Sequence, residues 1–311
     1  MKYYIGVDIG GTNIKAGVVD SSGNIINEVS IPTGADRPQD IVLQDILGAI
    51  KNLIEGCELN AKEIQAVGLG SPGAIDTERG IVIRNYNLGW KDFYICEKIS
   101  AALGIPSKLA NDADAAALGE VVAGSAKGAN RALIITLGTG VGSGVVINEK
   151  ILPGEFGHMV IAYNGRQCTC GRKGCFEAYS SATGLINMTK EAINNNPNGI
   201  LAETAKFEGS VSGQTVFNAA DKGDKEAERV IDEYLEYLAC GLANLINGLL
   251  PEVVSLGGGI AKQGERLLAP LRLKVEQEVF KGLKLPKIVS CTLGYKAGLI
   301  GAAINAREVK S

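Results

Sequence analysis

The 311-residue chain contains a single histidine and a single tryptophan, and it has no run of basic residues at a net charge of −3. This weak, balanced charge argues against nucleic acid as a partner. No segment is long and apolar enough to span a bilayer, so no membrane partner is expected. Asp8 interrupts the apolar N-terminal stretch too early for a signal peptide, and the sequence therefore predicts a cytoplasmic protein.

The only histidine stands ten residues before a group of three cysteines, Cys168, Cys170 and Cys175. Three thiolates and the imidazole of His158 make a complete tetrahedral zinc set. Two glycines in the same loop provide turns through which the ligands could converge. The alternative is three free thiols beside a solitary surface histidine. Four protein ligands leave no open coordination position, so the predicted zinc is structural.

A strand–glycine turn–strand pattern occurs twice in the chain, with Gly10 aligned on Gly138 at an offset of 138 − 10 = 128 residues. Such internal repetition indicates a duplicated architecture. It favours two glycine hairpins that close on one phosphate chain, although a plain hairpin turn is the alternative at each. The two copies are Tyr3 to Val7, Gly10-Gly11-Thr12 and Ile14 to Val19, and then Ala132 to Leu137, Gly138-Thr139-Gly140 and Gly144 to Ile147.

The first copy carries a carboxylate, Asp8, at the end of its strand. Backbone amides freed by the two glycines after it can cradle phosphate oxygens, and an aspartate nearby can hold Mg²⁺ through water. This is not a Walker loop, because a strand follows the turn instead of a helix. The stretch Gly68 to Gly73 matches the glycine pattern of dinucleotide-binding sites. Pro72 lies inside it and no helix is predicted after it, so we interpret the stretch as a turn or a substrate-facing loop.

Two further motifs leave alternatives open. Asp112 precedes an alanine-rich helix, where it could cap the helix or act as a general base for a substrate hydroxyl. Asp114 is a competitor that would point to another side of the helix. The run Gly257-Gly258-Gly259 between a strand and a helix could serve close packing, or it could let an adenine or ribose lie against the backbone.

Taken together, these motifs resemble those of the ROK family of bacterial sugar kinases, within the actin/hexokinase/Hsp70 superfamily, and nearly the whole chain is covered. The pattern is most similar to the glucokinases of the family. The resemblance is carried by Asp8-Ile-Gly-Gly-Thr, Ser71-Pro-Gly-Ala-Ile-Asp76, Asn87-Leu-Gly-Trp90, Asn111 to Glu120, Leu137-Gly-Thr-Gly, Gly154-Glu-Phe-Gly-His158, Cys168 to Glu177 and Gly257-Gly-Gly-Ile.

The resemblance implies a duplicated α/β fold of the actin-like/hexokinase (ribonuclease H-like) type, with two domains around a cleft. It implies a small α/β domain over 1–115, completed by a C-terminal helix over 298–311. The large α/β domain, which carries the zinc-binding loop, is expected over 116–297. The partners implied are a small-molecule sugar and a nucleotide, and the expected assembly is a homodimer or homotetramer.

The resemblance also implies residue roles in an ATP-dependent transfer of phosphate to the 6-hydroxyl of glucose, with Asp112 as the general base. The cofactors implied are ATP, Mg²⁺ and the structural Zn²⁺ held by His158, Cys168, Cys170 and Cys175. The expected sugar-binding residues are Gly73, Asn87, Asn111, Asp112, Glu155, His158 and Glu177. The expected residues for Mg²⁺-ATP are Asp8, Gly10, Gly11, Thr12, Asn13, Lys15, Gly138, Thr139, Gly257, Gly258 and Gly259.

Two other functions fit parts of the same pattern. A kinase for fructose, allose or N-acetylmannosamine would share all of this chemistry. A sugar-sensing regulator of the same family would not need Asp8 and Asp112, so the presence of both residues favours a kinase. One departure from the family concerns the segment between Lys150 and Gly154, where the chain has only Ile-Leu-Pro in place of a longer loop rich in glycine and alanine.

Overall fold

The computed structural model describes residues 2–309. The strands are β1 (Tyr3–Ile9), β2 (Asn13–Asp20), β3 (Ile25–Pro32), β4 (Ile64–Ser71), β5 (Ala74–Asp76), β6 (Ile81–Asn85), β7 (Trp90–Phe93), β8 (Ser107–Asn111), β9 (Arg131–Leu137), β10 (Val141–Ile147), β11 (Lys150–Leu152), β12 (Val253–Gly257) and β13 (Lys287–Ser290). The helices are α1 (Gln39–Gly56), α2 (Ile95–Leu103), α3 (Asp112–Ala123), α4 (Phe176–Ser180), α5 (Ala182–Asn195), α6 (Ile200–Glu208), α7 (Thr215–Asp221), α8 (Lys225–Leu249), α9 (Gly258–Ala261), α10 (Glu265–Glu278) and α11 (Lys296–Asn305). Short 3₁₀ helices cover Ala61–Glu63, Phe156–His158 and Ala306–Glu308.

Two five-stranded sheets repeat one topology. The first has the order β3-β2-β1-β4-β8 and the second the order β11-β10-β9-β12-β13. In each sheet the first strand of the repeat, β1 or β9, pairs in parallel with a strand from later in the sequence, β4 or β12. The offset of 128 residues between the two glycine turns also relates the first strands, because β1 covers Tyr3–Ile9 and β9 covers Arg131–Leu137. The predicted duplication and the actin-like fold class are therefore confirmed.

The residue contacts divide the chain into two compact units. Unit 1 consists of Met1–Asn130, Gly144–Pro153 and Cys291–Ser311, and unit 2 consists of Arg131–Ser143 and Gly154–Ser290. The domain bounds expected from the resemblance, at residues 115 and 297, stay a prediction. Within the expected C-terminal helix, α11 ends at Asn305 and a 3₁₀ helix follows, while Lys310 and Ser311 lie outside the described residues.

The core of unit 1 forms where α1 covers one face of the first sheet. Apolar residues of α1 recur at helical spacing, and Ile46 and Ile50 on its inner face are fully buried. Ile5 and Val7 of β1 belong to the same core cluster. Burial of such side chains stabilises the fold by about 1.5–3 kcal/mol each.

The helices α3 and α11 pack against each other at backbone distance. A Cβ at Gly301 of α11 would collide with the carbonyl of Ala115 in α3, and a Cβ at Gly119 would collide with the carbonyl of Ala297. Glycine is thus required at these positions by the close approach of two helices. This packing fixes the helix that begins at Asp112 against the helix that runs along β1.

One element prediction was wrong in part. The sequence pattern predicts a helix from Trp90 to Leu103, but Trp90–Phe93 is the strand β7, and the helix α2 begins only at Ile95. The buried rings of Trp90 and Phe93 are three residues apart, which imitates helical spacing, and their centroids lie 5.1 Å apart. Pairing with β6, a contact that no local pattern reveals, turns this segment into a strand.

In unit 2, the apolar residues from Lys225 to Leu250 recur at helical spacing and predict one helix that Pro251 ends, and α8 confirms this. Its inner face buries Val230, Tyr234, Leu238 and Leu242, and the helix ends before Pro251. Among the described helices, none has both the length and the apolar character needed to cross a membrane.

Candidate functional site

The junction between β8 and α3 carries the predicted general base. Asn111 is the N-cap of α3, and its Oδ1 accepts hydrogen bonds from the N–H groups of Ala113 (2.9 Å) and Asp114 (3.4 Å). The capping role that the sequence left open for Asp112 thus falls to its neighbour. The carboxylate of Asp112 accepts a hydrogen bond from the N–H of Ala113 at 3.0 Å.

Asp8 and Asp112 are partly buried carboxylates of unit 1, and the pKa of each is raised. Burial, followed by repulsion from Asp112, raises the pKa of Asp8 to about 6, although the nearby Lys15 acts to lower it. Burial also raises the pKa of Asp112, and the hydrogen bond from the N–H of Ala113 partly opposes this effect. A carboxylate with a raised pKa is a stronger base, which suits proton transfer near neutral pH.

The first glycine turn follows Asp8 as predicted. The N–H of Gly10 donates to the carbonyl of Asn13 at 3.1 Å. Thr33 braces this turn from the end of β3, because its hydroxyl donates to the carbonyl of Gly10 (2.7 Å) and its N–H donates to the carbonyl of Thr12 (2.9 Å). Gly11, Thr12 and Asn13 are exposed, so the turn is accessible to a ligand. Sequence reasoning did not find Thr33, which is fully buried.

The predicted sugar-side loops of unit 1 are held by a residue that the sequence analysis missed. Asn85 is 2% exposed, and its amide donates to the carbonyl of Pro72 at 3.1 Å. Its Oδ1 accepts from the N–H groups of Asn87 (3.0 Å) and Leu88 (3.1 Å). The side chain thus joins the loop of Gly73 to the loop of Asn87. An asparagine two residues before another turn residue is the signal that could have identified it.

The second glycine turn lies in unit 2 between β9 and β10. The N–H of Gly138 donates to the carbonyl of Gly140 at 3.0 Å, which closes the turn. The N-terminus of α5 supports it, because the N–H of Ala182 donates to the carbonyl of Gly138 (2.8 Å) and the hydroxyl of Thr183 donates to the carbonyl of Thr139 (2.7 Å).

In the glycine run after β12, packing explains one of the glycines, and the adenosine role stays a prediction. Gly258 has a φ of +86°, and a Cβ there would collide with the backbone of Leu137, so close packing requires glycine. A Cβ at Gly259 would meet open space. The third glycine therefore leaves room beside the backbone, whereas the second satisfies packing.

The predicted zinc ligands converge in unit 2. One ligand atom from each of His158, Cys168, Cys170 and Cys175 can be chosen so that all four lie within 4.8 Å of one another. The His158 Nδ1 is 3.7 Å from the Cys168 Sγ, and the Sγ atoms of Cys170 and Cys175 are also 3.7 Å apart. Tetrahedral zinc with bonds of about 2.0–2.3 Å separates its ligand atoms by about 3.6–3.8 Å. The donor set therefore fits zinc in type and in spacing.

Glu177 links the cysteine loop to the second glycine turn. Its Oε1 accepts from the hydroxyl of Thr169 at 3.0 Å, and its Oε2 accepts from the N–H of Val141 at 3.1 Å. A carboxylate can accept about four hydrogen bonds, so a ligand hydroxyl could still bind. Glu155 is exposed and immediately precedes the 3₁₀ helix that carries His158, whose N–H donates to the Glu155 carbonyl at 3.0 Å.

Cavities occur in both units. One in unit 2, of about 400 Å³, is lined by Arg166 and Glu191 among others, and by none of the predicted site residues. Another cavity in unit 2, of about 360 Å³, is lined by Thr139, Thr169, Glu177 and Thr183, among others, and its walls offer hydroxyl and carboxylate groups. In unit 1 a more open groove of about 780 Å³ runs between β3 and α1. None of the predicted site residues lines that groove. Three of the predicted site residues, Thr139, Cys168 and Glu177, line the 360 Å³ cavity of unit 2.

Comparison with known sequences extends the resemblance over the chain. The sequence model of the ROK family matches residues 4–309. A glucokinase of Halalkalibacterium halodurans is 36% identical in an alignment that covers 96% of this chain and 93% of that protein.

Two solved structures are similar in fold and in sequence. A ROK family glucokinase from Streptomyces griseus, in complex with glucose and AMPPNP, has a TM-score of 0.75 and 33% identity, and the match covers 99% of this chain and 100% of that one. A ROK hexokinase from Thermus thermophilus has a TM-score of 0.84 and 32% identity, with 98% of each chain covered. The similarity thus extends over the full length of both proteins.

Proposed function

The chain belongs to the ROK family, and we propose that it is an ATP-dependent glucokinase that phosphorylates glucose at the 6-hydroxyl. The main structural support is the division of labour at the β8–α3 junction. Asn111 caps the helix, so the carboxylate of Asp112 is available as a base, and its pKa is raised by burial. A relative with 33% identity was solved with glucose and AMPPNP.

In the proposed reaction Asp112 is the general base. Its carboxylate accepts the proton of the sugar's 6-hydroxyl, while the hydroxyl oxygen forms a bond to the γ-phosphorus of ATP. The bond from that phosphorus to the β–γ bridging oxygen breaks, and ADP leaves. Such in-line transfer depends mainly on positioning and on stabilisation of charge.

The nucleotide is proposed to use both glycine turns. The amides of Gly10 to Thr12 and of Gly138 and Thr139 bind phosphate oxygens. The same triphosphate, with its Mg²⁺, is bound by Asp8, Asn13 and Lys15. The adenosine binds against Gly257 to Gly259. The repulsion between Asp8 and Asp112 marks a local excess of negative charge, which a divalent cation fits. When bound, Mg²⁺ supplies neutralisation of the phosphate charge.

The sugar is proposed to bind through hydrogen bonds with oriented donors and acceptors. Asn111 and Glu177 contact ring hydroxyls, as do Gly73, Asn87 and Glu155. The Nδ1 of His158 lies 3.7 Å from the Cys168 sulfur, so Nδ1 is assigned to the zinc and the other ring nitrogen, Nε2, to a sugar hydroxyl. Zinc held by the cysteine loop would fix the position of this imidazole.

The activity is tested by a coupled assay of ADP release with a panel of hexoses. We expect the largest kcat/KM for glucose, compared with fructose, allose and N-acetylmannosamine. Asp112→Asn should lower kcat by about two to four orders of magnitude, because the general base is removed. The variant should keep most of its affinity for glucose. Near-normal turnover of the variant would disprove the role of Asp112, and a clear preference for another hexose would revise the substrate.

The zinc is tested by elemental analysis and by removal of a ligand. We expect one zinc per chain. Cys170→Ser or a strong chelator should weaken glucose affinity about 10- to 100-fold, since disruption of a metal-supported site has effects of this size. Cys57→Ser, which changes a thiol outside the cluster, is the matched control and should keep both zinc and affinity. Unchanged affinity in metal-free protein would contradict this part of the proposal.

The location, partners and assembly of the enzyme are proposed from its resemblance to the family. The enzyme acts in the cytoplasm on small molecules and assembles as a homodimer or homotetramer. Light scattering with size-exclusion chromatography measures the assembly directly.

A further inference from the structure

A lysine, an aromatic ring and a carboxylate lie together beside the first glycine turn. Lys15 stands opposite Asp8 in the antiparallel register of β1 and β2. Its ammonium lies 4.7 Å from the centroid of the Tyr295 ring. An ammonium at this distance is attracted by the negative face of the ring. Tyr295 therefore helps to determine where the Lys15 ammonium lies.

The ring is held in turn by a carboxylate from β3. The Tyr295 hydroxyl donates to the Oε1 of Glu28 at 3.3 Å, and the Lys296 ammonium is 3.8 Å from the same oxygen. Glu28 thus orients the ring and balances the charge of Lys296. Within residues 2–309, the Lys15 ammonium has no carboxylate oxygen at ion-pair distance, and the Tyr295 ring is the contact that holds it.

The same short segment also contacts Asp8. Tyr295 immediately precedes α11, and Gly298 lies in the first turn of that helix. A Cβ at Gly298 would be 2.8–3.0 Å from the three carboxyl atoms of Asp8, so the carboxylate lies directly against the helix backbone. Residues 295–298 therefore fix both members of the opposed pair, the carboxylate of Asp8 and the ammonium of Lys15.

We propose that Tyr295 is a positioning residue whose ring holds the Lys15 ammonium away from Asp8, so that the ammonium remains available to a nucleotide phosphate. The lysine stem is flexible, and without the ring the ammonium could pair with the opposite carboxylate. That ion pair would compete with the binding of both groups to the nucleotide. The inference rests on the proposed ATP-dependent function.

A double-mutant cycle between Tyr295 and Lys15 tests the coupling. Tyr295→Leu should raise the KM for Mg²⁺-ATP about two- to fivefold, the equivalent of one exposed cation–π contact. Lys15→Met should raise it about tenfold or more, because a charged contact to phosphate is lost. The double variant should match Lys15→Met alone, and the KM for glucose should not change. Tyr295→Phe keeps the ring but loses the hydroxyl's bond to Glu28, so its KM should lie much closer to the wild-type value than that of Tyr295→Leu.

Two outcomes of the cycle would overturn the proposal. The first is a KM in the double variant that equals the product of the two single effects, since the residues would then act independently. The second is a Tyr295→Phe variant as impaired as Tyr295→Leu. Phe207→Leu is the matched control, because Phe207 is an exposed ring of unit 2 at 89% exposure, and its loss should leave the KM unchanged.

A second measurement needs no enzymatic activity. In lysine-labelled protein, the ring current of Tyr295 should shift the Lys15 ε-protons upfield in the wild type and in Tyr295→Phe, but not in Tyr295→Leu. ATP-dependent activity without this shift would overturn the positioning role while the proposed function stands. The shift without any ATP-dependent activity would instead overturn the proposed function.

Discussion

At the scale of single residues, neighbours at the β8–α3 junction have different tasks. Asn111 satisfies the N–H groups at the start of α3, a contribution of about 1 kcal/mol for a good N-cap. The carboxylate of Asp112 accepts a hydrogen bond from the N–H of Ala113 at a partly buried position. Both aspartate and asparagine are favoured caps, so composition alone could not assign the cap to one of them. The geometry of the strand end decides it.

The raised pKa of Asp8 predicts a specific dependence of stability on pH. Its pKa is about 6 in the folded protein and 3.8 for an ordinary aspartate, so the native state binds the proton more tightly in this window. The contribution of Asp8 is therefore fully present below pH 3.8 and is lost as the pH rises through 6. The loss should reach about 3 kcal/mol over the whole window, or about 1 kcal/mol between pH 5 and pH 7.

Urea unfolding of the ligand-free wild type and of Asp8→Asn at pH 5 and pH 7 measures this effect. Asparagine does not titrate, so the difference between the two proteins isolates Asp8. The wild type should lose stability relative to the variant as the pH rises. Parallel behaviour of the two proteins would mean that Asp8 has an ordinary pKa.

At the scale of elements, the helix pair α3 and α11 depends on glycines at its contact. Gly301→Ala should lower the free energy of unfolding by about 1–3 kcal/mol, because its methyl group would overlap the carbonyl of Ala115. Gly48→Ala, in the middle of α1, meets open space and should raise the free energy of unfolding by about 0.5–1 kcal/mol. Urea unfolding followed by circular dichroism compares the two. Equal effects would contradict the close packing of α3 and α11.

The elements also differ in how well the sequence predicts them. The duplicated hairpins were predicted because strands and glycine turns leave a local pattern that recurs at a fixed offset. The start of the segment 90–103 was predicted wrongly as a helix. Trp90 and Phe93 have helical spacing, but pairing with β6 makes them part of the strand β7. Thr33 and Asn85 escaped notice for a similar reason. Their importance lies in contacts with distant loops, which no local pattern encodes.

The predicted zinc ligands are an intermediate case. Their residue types and spacing predicted that they would meet, and the structure brings His158 and the three cysteines together. Their identity as a donor set is a local property of the sequence. The link from Glu177 to the second glycine turn is not local, because it joins residues 36 positions apart through the N–H of Val141. Sequence analysis could therefore find the cysteine loop but not its link to the second glycine turn.

At the scale of the whole molecule, sugar binding should be visible in the unfolding equilibrium. A ligand that binds only the native state stabilises it by about 2.7 kcal/mol at 100 times its dissociation constant. Glucose should therefore raise the melting temperature of the wild type and, to a similar extent, that of Asp112→Asn. Thermal unfolding with glucose and with the other hexoses measures this. A larger shift with another hexose at equal concentration would contradict glucose as the preferred substrate.

The division of the chain between the two units affects its synthesis. Unit 1 begins at the N-terminus but also needs Cys291–Ser311, the segment that contains α11. During translation, the positions that α11 occupies beside β1 and α3 therefore stay empty in a nascent unit 1 until residues 296–305 have been synthesised. Unit 2 ends at Ser290 and can complete its fold earlier. A ribosome that stops just short of residue 291 would release a chain whose half with the predicted base lacks its last helix.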